Sequence, residues 1–330
     1  MAGSVSSREM VRKVFFGNML DWVPFMPWVC IHAARLEQLS VPKMLNDPLL
    51  LARALENAQK LYGYDMVVNI FDSTIEAEAC GCPIKWTSDK ELPSVEGHHP
   101  IDNLSEGDIS NIKNKGRLPA VIEATKRLKI TLGRTVAIAS VVTGPFTLAS
   151  HLKGHNVIDD LDNDPEPAKN IVELAGKVCL EVCKSYCELE LDLIVLAESV
   201  MPRLPTRYLP FALSVLKPVV NVIRFYNSLP LLLANGCNKE SLKLLTNMEV
   251  DGMVVDSNIE ADVRQQQVRC VVGRTIPSSV LEGAKERLLA HIENHLKGDR
   301  RGVFISTEWQ VPYDTPPENI HEIIRAIKGA

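Results

Sequence analysis

The feature that most restricts this chain is a rhythm. From about Met66 onward, short runs of β-branched and aliphatic residues alternate with longer stretches of helical periodicity. The runs predict strands at 66–70, 136–142, 193–197, 219–225, 252–256, 269–273 and 303–306. Most are continuously apolar rather than alternating, as parallel strands covered on both faces require. Helical stretches fall between them at 49–61, 119–129, 167–189, 239–246, 260–267, 278–297 and 317–328, several opened by proline or by Asp, Ser or Asn. A βαβα alternation of this length implies a parallel sheet. Seven clear strands and one irregular strand close a single (β/α)8 barrel spanning 1–330. An N-terminal helical segment (1–65) precedes it, and a polar, turn-rich excursion (83–116) interrupts it. An open doubly wound sheet is the alternative, but no G-x-G-x-x-G follows an early strand.

Charge and composition narrow the function classes. A net charge of −5 disfavours a general affinity for nucleic acid. No continuous run of 18 apolar residues stands out, so neither a membrane span nor a membrane partner is expected. The first residues lack a signal-peptide core, and a cytoplasmic location is expected. Cys179, Cys183 and Cys187 recur every fourth residue beside Leu174, Val178 and Val182, a pattern of small core residues rather than metal ligands. Cys80 and Cys82 have no partner pair at zinc-finger spacing, and disulfides are not expected. His98 and His99 read as an exposed loop, and His291 and His295 as one surface face of a late helix.

In a barrel, the residues that follow the strands share one pocket. These are Asp72, then Thr143-Gly144-Pro145, Glu198-Ser199, Arg224 with Tyr226, Asp256, Arg274, and Glu308-Trp309. Asp256 with Ser257-Asn258 also has the composition of a helix cap. Arg203 and Arg207 follow in a proline-restricted loop able to hold guanidinium groups toward an acidic ligand. So polar a rim suits proton transfer and anion binding.

Three segments at these strand ends resemble a known family. They are Phe71-Asp72-Ser73-Thr74-Ile75-Glu76-Ala77-Glu78-Ala79-Cys80-Gly81, Thr143-Gly144-Pro145-Phe146-Thr147-Leu148-Ala149, and Val311-Pro312-Tyr313-Asp314-Thr315-Pro316-Pro317-Glu318-Asn319. In this order they resemble the uroporphyrinogen decarboxylase superfamily, which includes the decarboxylase and corrinoid-dependent methyltransferases. The resemblance implies a (β/α)8 barrel. From the decarboxylase it carries a pyrrole-contacting carboxylate onto Asp72 and a serine onto Ser199. That enzyme's arginine-rich amino-terminal motif is reduced to Cys30-Ile31-His32-Ala33-Ala34-Arg35, and His151 replaces its tyrosine. The methyltransferase branch matches better, in Glu76-Ala77-Glu78-Ala79-Cys80-Gly81 and in Leu92-Pro93-Ser94-Val95. Thiol-methylating members hold zinc through an H-x-C pair and a distant cysteine. Here Ile223-Arg224-Phe225-Tyr226 is expected at the pair and Trp309 at the cysteine, so no metal site is expected.

These readings lead to a methyltransferase that moves a methyl group between cobalamin, carried by a partner corrinoid protein, and a non-thiol small molecule. Asp72, Glu198 and Glu308 are the candidate catalytic residues. Arg35, His151, Ser199, Arg203, Arg207, Arg224, Tyr226 and Trp309 are the candidate substrate contacts. Cofactor-free decarboxylation of a tetrapyrrole acid and a non-catalytic binding barrel remain the alternatives. A homodimer is compatible with each.

Overall fold

A computed structural model of the chain describes residues 5–18, 20, 22–97, 104–266, 268–297 and 300–329; His98 and His99 lie outside these. In chain order its strands are β1 (Met66–Val68), β2 (Ile84–Lys85), β3 (Ser94–Val95), β4 (Ala137–Thr143) and β5 (Leu193–Glu198). Then come β6 (Leu229–Ala234), β7 (Gly252–Val255), β8 (Val271–Val272), β9 (Arg274–Ile276) and β10 (Ile305–Thr307). Strands β1-β4-β5-β6-β7-β8 form one parallel sheet, and β9 pairs in parallel with β10. The Gly273 N–H bonds to the Met253 carbonyl, tying the β8–β9 strand to β7. Closure comes from Phe25, which bridges to Ile305 in parallel and accepts from the Asp65 N–H just before β1. The irregular eighth strand is therefore the stretch around Phe25, between Pro24 and Pro27. The result is a (β/α)8 barrel.

Side chains alternate across this wall. Met66, Val68, Ala139, Leu193, Val195, Leu231, Leu233 and Val254 fill the barrel interior, while Val67, Ile138, Ile194, Leu196 and Leu232 pack against the outer helices. The interior is a packed core rather than a pore. Its floor is the helix Ser7–Phe15, opened by a Ser6/Glu9 capping box, which sends Met10, Val11 and Val14 into that core. Two buried aspartates lock the floor in place. Asp65 accepts from Ser7 and the Phe25 N–H, and Asp192 accepts from Arg8 and the Ile138 N–H.

Most predicted elements stand, but one is displaced. Residues 219–225 are not a strand; they end the helix Leu209–Phe225, and the true strand is β6. The buried residues Ala212, Val215, Leu216, Val219, Val220 and Ile223 follow helical spacing, with Pro218 tolerated inside. Thr206–Phe225 is also long and apolar enough for a membrane span by length and composition, contrary to expectation. In the fold it is a barrel helix packed against Pro165–Cys187.

The eight cysteines are free, and Cys179, Cys183 and Cys187 are buried among apolar neighbours. His291 and His295 are not a solvated face: both rings turn onto the Thr275 carbonyl, at 3.1 and 3.0 Å.

Candidate active site at the barrel mouth

Where β4 and β5 end, the sequence Thr143-Gly144-Pro145-Phe146-Thr147 acquires a physical reading. Glu198, the last residue of β5, turns into the first turn of the helix Pro145–Lys153. Its Oε1 accepts from the Phe146 N–H at 2.9 Å. Its Oε2 accepts from the Thr147 hydroxyl at 2.7 Å, the Thr147 N–H at 3.2 Å and the Met201 N–H at 3.4 Å. A carboxylate here satisfies amide groups that the helix start leaves without partners. Gly144 makes room for it: a Cβ at that position would lie 2.4 Å from both Cγ and Oε1 of Glu198. Burial nevertheless dominates, and pushes the Glu198 carboxyl up to about 7 despite these hydrogen bonds.

Thr143 holds a second buried carboxylate. Its hydroxyl and N–H donate to Glu76 at 2.6 and 3.2 Å. Burial raises Glu76 to about 7, the Thr143 hydrogen bonds oppose this, and the nearby Asp72 charge adds to it. Glu76 belongs to the segment that carried the resemblance, yet strand-end reasoning passed over it because it lies in the short helix Ile75–Ala79, beyond the strand-end loop.

Asp72 reaches the cavity but is fully engaged. Its Oδ1 accepts from the Thr74 N–H and hydroxyl at 2.9 and 2.7 Å, and its Oδ2 meets Arg117 Nη1 at 2.6 Å. Arg117, 4% exposed, also binds Glu78 and lies 5.1 Å from the Trp86 ring centroid. No sequence signal marked Arg117, which follows the excursion at the start of the helix Leu118–Thr131. His151 contacts Ser73 through Nε2 at 3.3 Å, and burial lowers its pKa, favouring the neutral ring.

The mouth encloses a cavity of about 230 Å³. Phe71, Asp72, Ser73, Thr147, Glu198, Ser199, Asn235, Trp309 and Gln310 line it, and Leu92 and Pro93 of the excursion roof one side. Ser199 is pinned by its N–H to the Thr147 hydroxyl at 2.9 Å. Trp309 and Phe71 stand 5.3 Å apart with their planes at 60°. Asn235 donates to the Glu308 carbonyl, whereas the Glu308 carboxylate turns away to accept from the Ser257 N–H at 2.7 Å. Asp256 does not cap its own helix; it accepts from the Cys237 N–H at 2.6 Å.

The expected cationic contacts lie elsewhere. Arg224 binds Asp251 and the Glu249 carbonyl at the end of a helix that precedes β6, so it sits at the opposite, amino-terminal end of the barrel. Tyr226 accompanies it there, packed edge-on to an exposed Phe225. Both are removed from the site by the displaced strand. Arg35 donates to the Thr315 carbonyl at 2.5 Å and anchors the carboxyl-terminal motif. Arg207 pairs with Asp162, and Arg203 borders a separate surface groove beside Gly236. Arg274 lies within β9 and reaches the Lys297 carbonyl. Among the described residues no Lys or Arg lines the mouth cavity. A substrate carrying many carboxylates would find no guanidinium there to offset its desolvation.

Because β6 ends at Ala234, the residues that follow the strand are Asn235-Gly236-Cys237, and these take the place assigned above to Arg224. A tetrahedral zinc would draw on Cys237 together with an amide and the Trp309 indole. That set lacks the nitrogen and thiolate donors zinc needs. The Cys237 thiol donates to the Ala234 carbonyl at 3.2 Å, and burial raises its pKa far above the ordinary value. Among the described residues no three His, Cys, Asp or Glu side chains converge as metal donors.

Comparison with known proteins agrees with the barrel fold. The profile of the uroporphyrinogen decarboxylase (URO-D) family matches residues 6–330. Methylcobamide:CoM methyltransferase MtbA of Methanosarcina acetivorans is 24% identical, over 92% of this chain and 93% of its own. Its counterpart in Methanosarcina mazei is 25% identical over 92% and 93%. Among solved structures, a methyltransferase from Methanosarcina mazei superposes with a TM-score of 0.86 at 21% identity, covering 99% of each chain.

Proposed function

Since the chain belongs to the uroporphyrinogen decarboxylase (URO-D) family, we propose that it moves a methyl group between a corrinoid on a partner protein and a small non-thiol molecule, without a thiol-activating zinc. The observation that carries this reading is the pair Asn235 and Trp309 on the cavity wall with Cys237 two residues after Asn235, its thiol turned onto the Ala234 carbonyl, a set that offers one buried thiol where a zinc–thiolate site needs several soft donors. Whole-length similarity to methylcobamide:CoM methyltransferases supports the corrinoid half of the proposal. When bound, the corrinoid would supply a cobalt able to give up or accept the methyl group.

The protein's part is alignment and exclusion of water. Trp309, 36% exposed, forms the outer rim, and Phe71 the inner wall. Glu198, braced by the Pro145–Lys153 helix start, fixes Thr147 and through it Ser199 on the cavity floor. Arg117 holds Asp72 and Glu78 together, so the Asp72 loop keeps one shape when the cavity fills. Asp72 and Glu308 are positioning residues here: both Asp72 oxygens serve protein donors, and Glu308 turns Oε1 onto Ser257 rather than into the cavity.

The test is methyl transfer by the metal-stripped chain between free cobalamin and a panel of methylated amines, ethers and thiols. Transfer with a non-thiol, unaffected by chelator, is the expected result. Transfer confined to thiols and dependent on added zinc overturns the proposal, as does complete inactivity of the folded protein with every corrinoid tried.

A further inference from the structure

The wall of the mouth cavity is chemically one-sided. Two aromatic side chains, Phe71 and Trp309, border it, packed on one another with ring centroids 5.3 Å apart and planes at 60°. Glu198 is 1% exposed, and its four hydrogen-bond donors are all neutral. No ion pair reaches it among the described residues. Asp72 and Glu78 share the single Arg117, so that cluster is itself one charge negative when ionised. An independent feature points the same way: Gln310 lines the cavity, and its Oε1 is buried without a hydrogen-bond partner. A buried acceptor without a donor is costly unless a ligand meets it.

Such a wall gives nothing to an anion and little to a neutral molecule. Gln310, Ser199 and Asn235 offer acceptors in the lining, but a cation need not carry N–H groups to be held there. A methylated onium spreads its charge over polarised C–H groups, which can meet the Gln310 oxygen and pack against the aromatic side chains alike. We infer that the mouth cavity recognises a small quaternary methylammonium cation, the methyl donor in the reaction proposed above, on which this inference rests.

The step balances without a proton. Cobalt in the Co(I) state uses its electron pair to attack one N-methyl carbon. The carbon–nitrogen bond breaks, its pair stays on nitrogen, and the products are methyl-Co(III) and a neutral tertiary amine. Cobalt is formally oxidised by two electrons, both of which enter the new bond. No general acid is needed, in keeping with the occupied oxygens of Asp72. The neutral product loses the attraction that held the cation, and so leaves.

Calorimetric titration of the full chain with choline and with 3,3-dimethylbutanol, its uncharged carbon isostere, tests the recognition directly. Choline is expected to bind at least about tenfold more tightly, and Trp309→Ala to lose about fivefold or more of that affinity while Trp309→Phe keeps most of it. Equal affinity for the two ligands, or choline binding unchanged in Trp309→Ala, overturns the inference. The ligand pair on the unmodified protein stands even if a variant fails to fold. A parallel assay with cob(I)alamin separates the two claims. Selective choline binding without any methyl transfer keeps the cation site and refutes the methyl-transfer reading. Transfer from uncharged donors with no choline binding does the reverse.

Discussion

Glu76→Gln is the substitution whose outcome the structure specifies most fully. The Glu76 carboxyl is buried behind Thr143, and its pKa stands at about 7 against an ordinary 4.5, chiefly through desolvation. Below about 4.5 the carboxyl is protonated whether the chain is folded or not. As pH rises toward 7, the unfolded chain releases its proton first, and the folded state falls behind. Above about 7 the deficit is complete. At about 1.4 kcal/mol per tenfold, this gap corresponds to roughly 3 kcal/mol. Glutamine keeps the shape and both hydrogen bonds, since its carbonyl accepts from the Thr143 N–H and its amide donates to the hydroxyl, which simply turns round. The variant is therefore expected to match the parent within about 1 kcal/mol at pH 5 and to exceed it by about 1–3 kcal/mol at pH 8.5. Urea unfolding midpoints of both proteins across that range measure the difference. A constant difference from pH 5 to 8.5 would refute the reasoning, because Glu76 would then not titrate between those limits in the folded protein.

Other substitutions probe the rest of the site. Gly144→Ala drives a methyl into the Glu198 carboxylate and should cost about 2–4 kcal/mol in stability, together with most ligand affinity; unfolding and titration read the two effects. Arg117→Met strands Asp72 beside Glu78 and should cost about 3–5 kcal/mol, an effect seen in the same unfolding assay. Arg224→Ala, at the far end of the barrel and partly solvated, should change stability by less than about 1 kcal/mol and leave methyl transfer at the parental rate. A large loss of activity there would place the site wrongly.

The barrel was legible because its strands are buried on both faces and announce themselves as apolar runs. The two strands that escaped did so for one reason, proline. Pro24 and Pro27 break up the run around Phe25, and Pro230 interrupts β6, while the β-branched residues Val219, Val220, Val222 and Ile223 imitate a strand inside a helix. That single displacement moved Arg224 and Tyr226 into the expected site and kept Asn235 and Cys237 out of it. Asp72, Ser199, Glu198 and Trp309 line the mouth cavity because strand ends converge in any barrel. The local roles were not readable. Whether an arginine at a strand end faces a cavity or a backbone carbonyl depends on loop paths, as Arg35 and Arg203 illustrate. Arg117 and Gln310 matter only through neighbours distant in sequence.

The central claim is methyl transfer to or from a corrinoid without zinc–thiolate chemistry. Its most direct measurement is the rate at which chelator-treated Cys237→Ser protein converts cob(I)alamin to methylcobalamin in the presence of a quaternary methylammonium salt, followed by the loss of the Co(I) absorption. The account predicts a rate equal to that of the untreated parent, with a tertiary amine formed in equal amount. A rate abolished by the substitution or the chelator and restored to the parent by zinc, or turnover with coenzyme M alone, would contradict it.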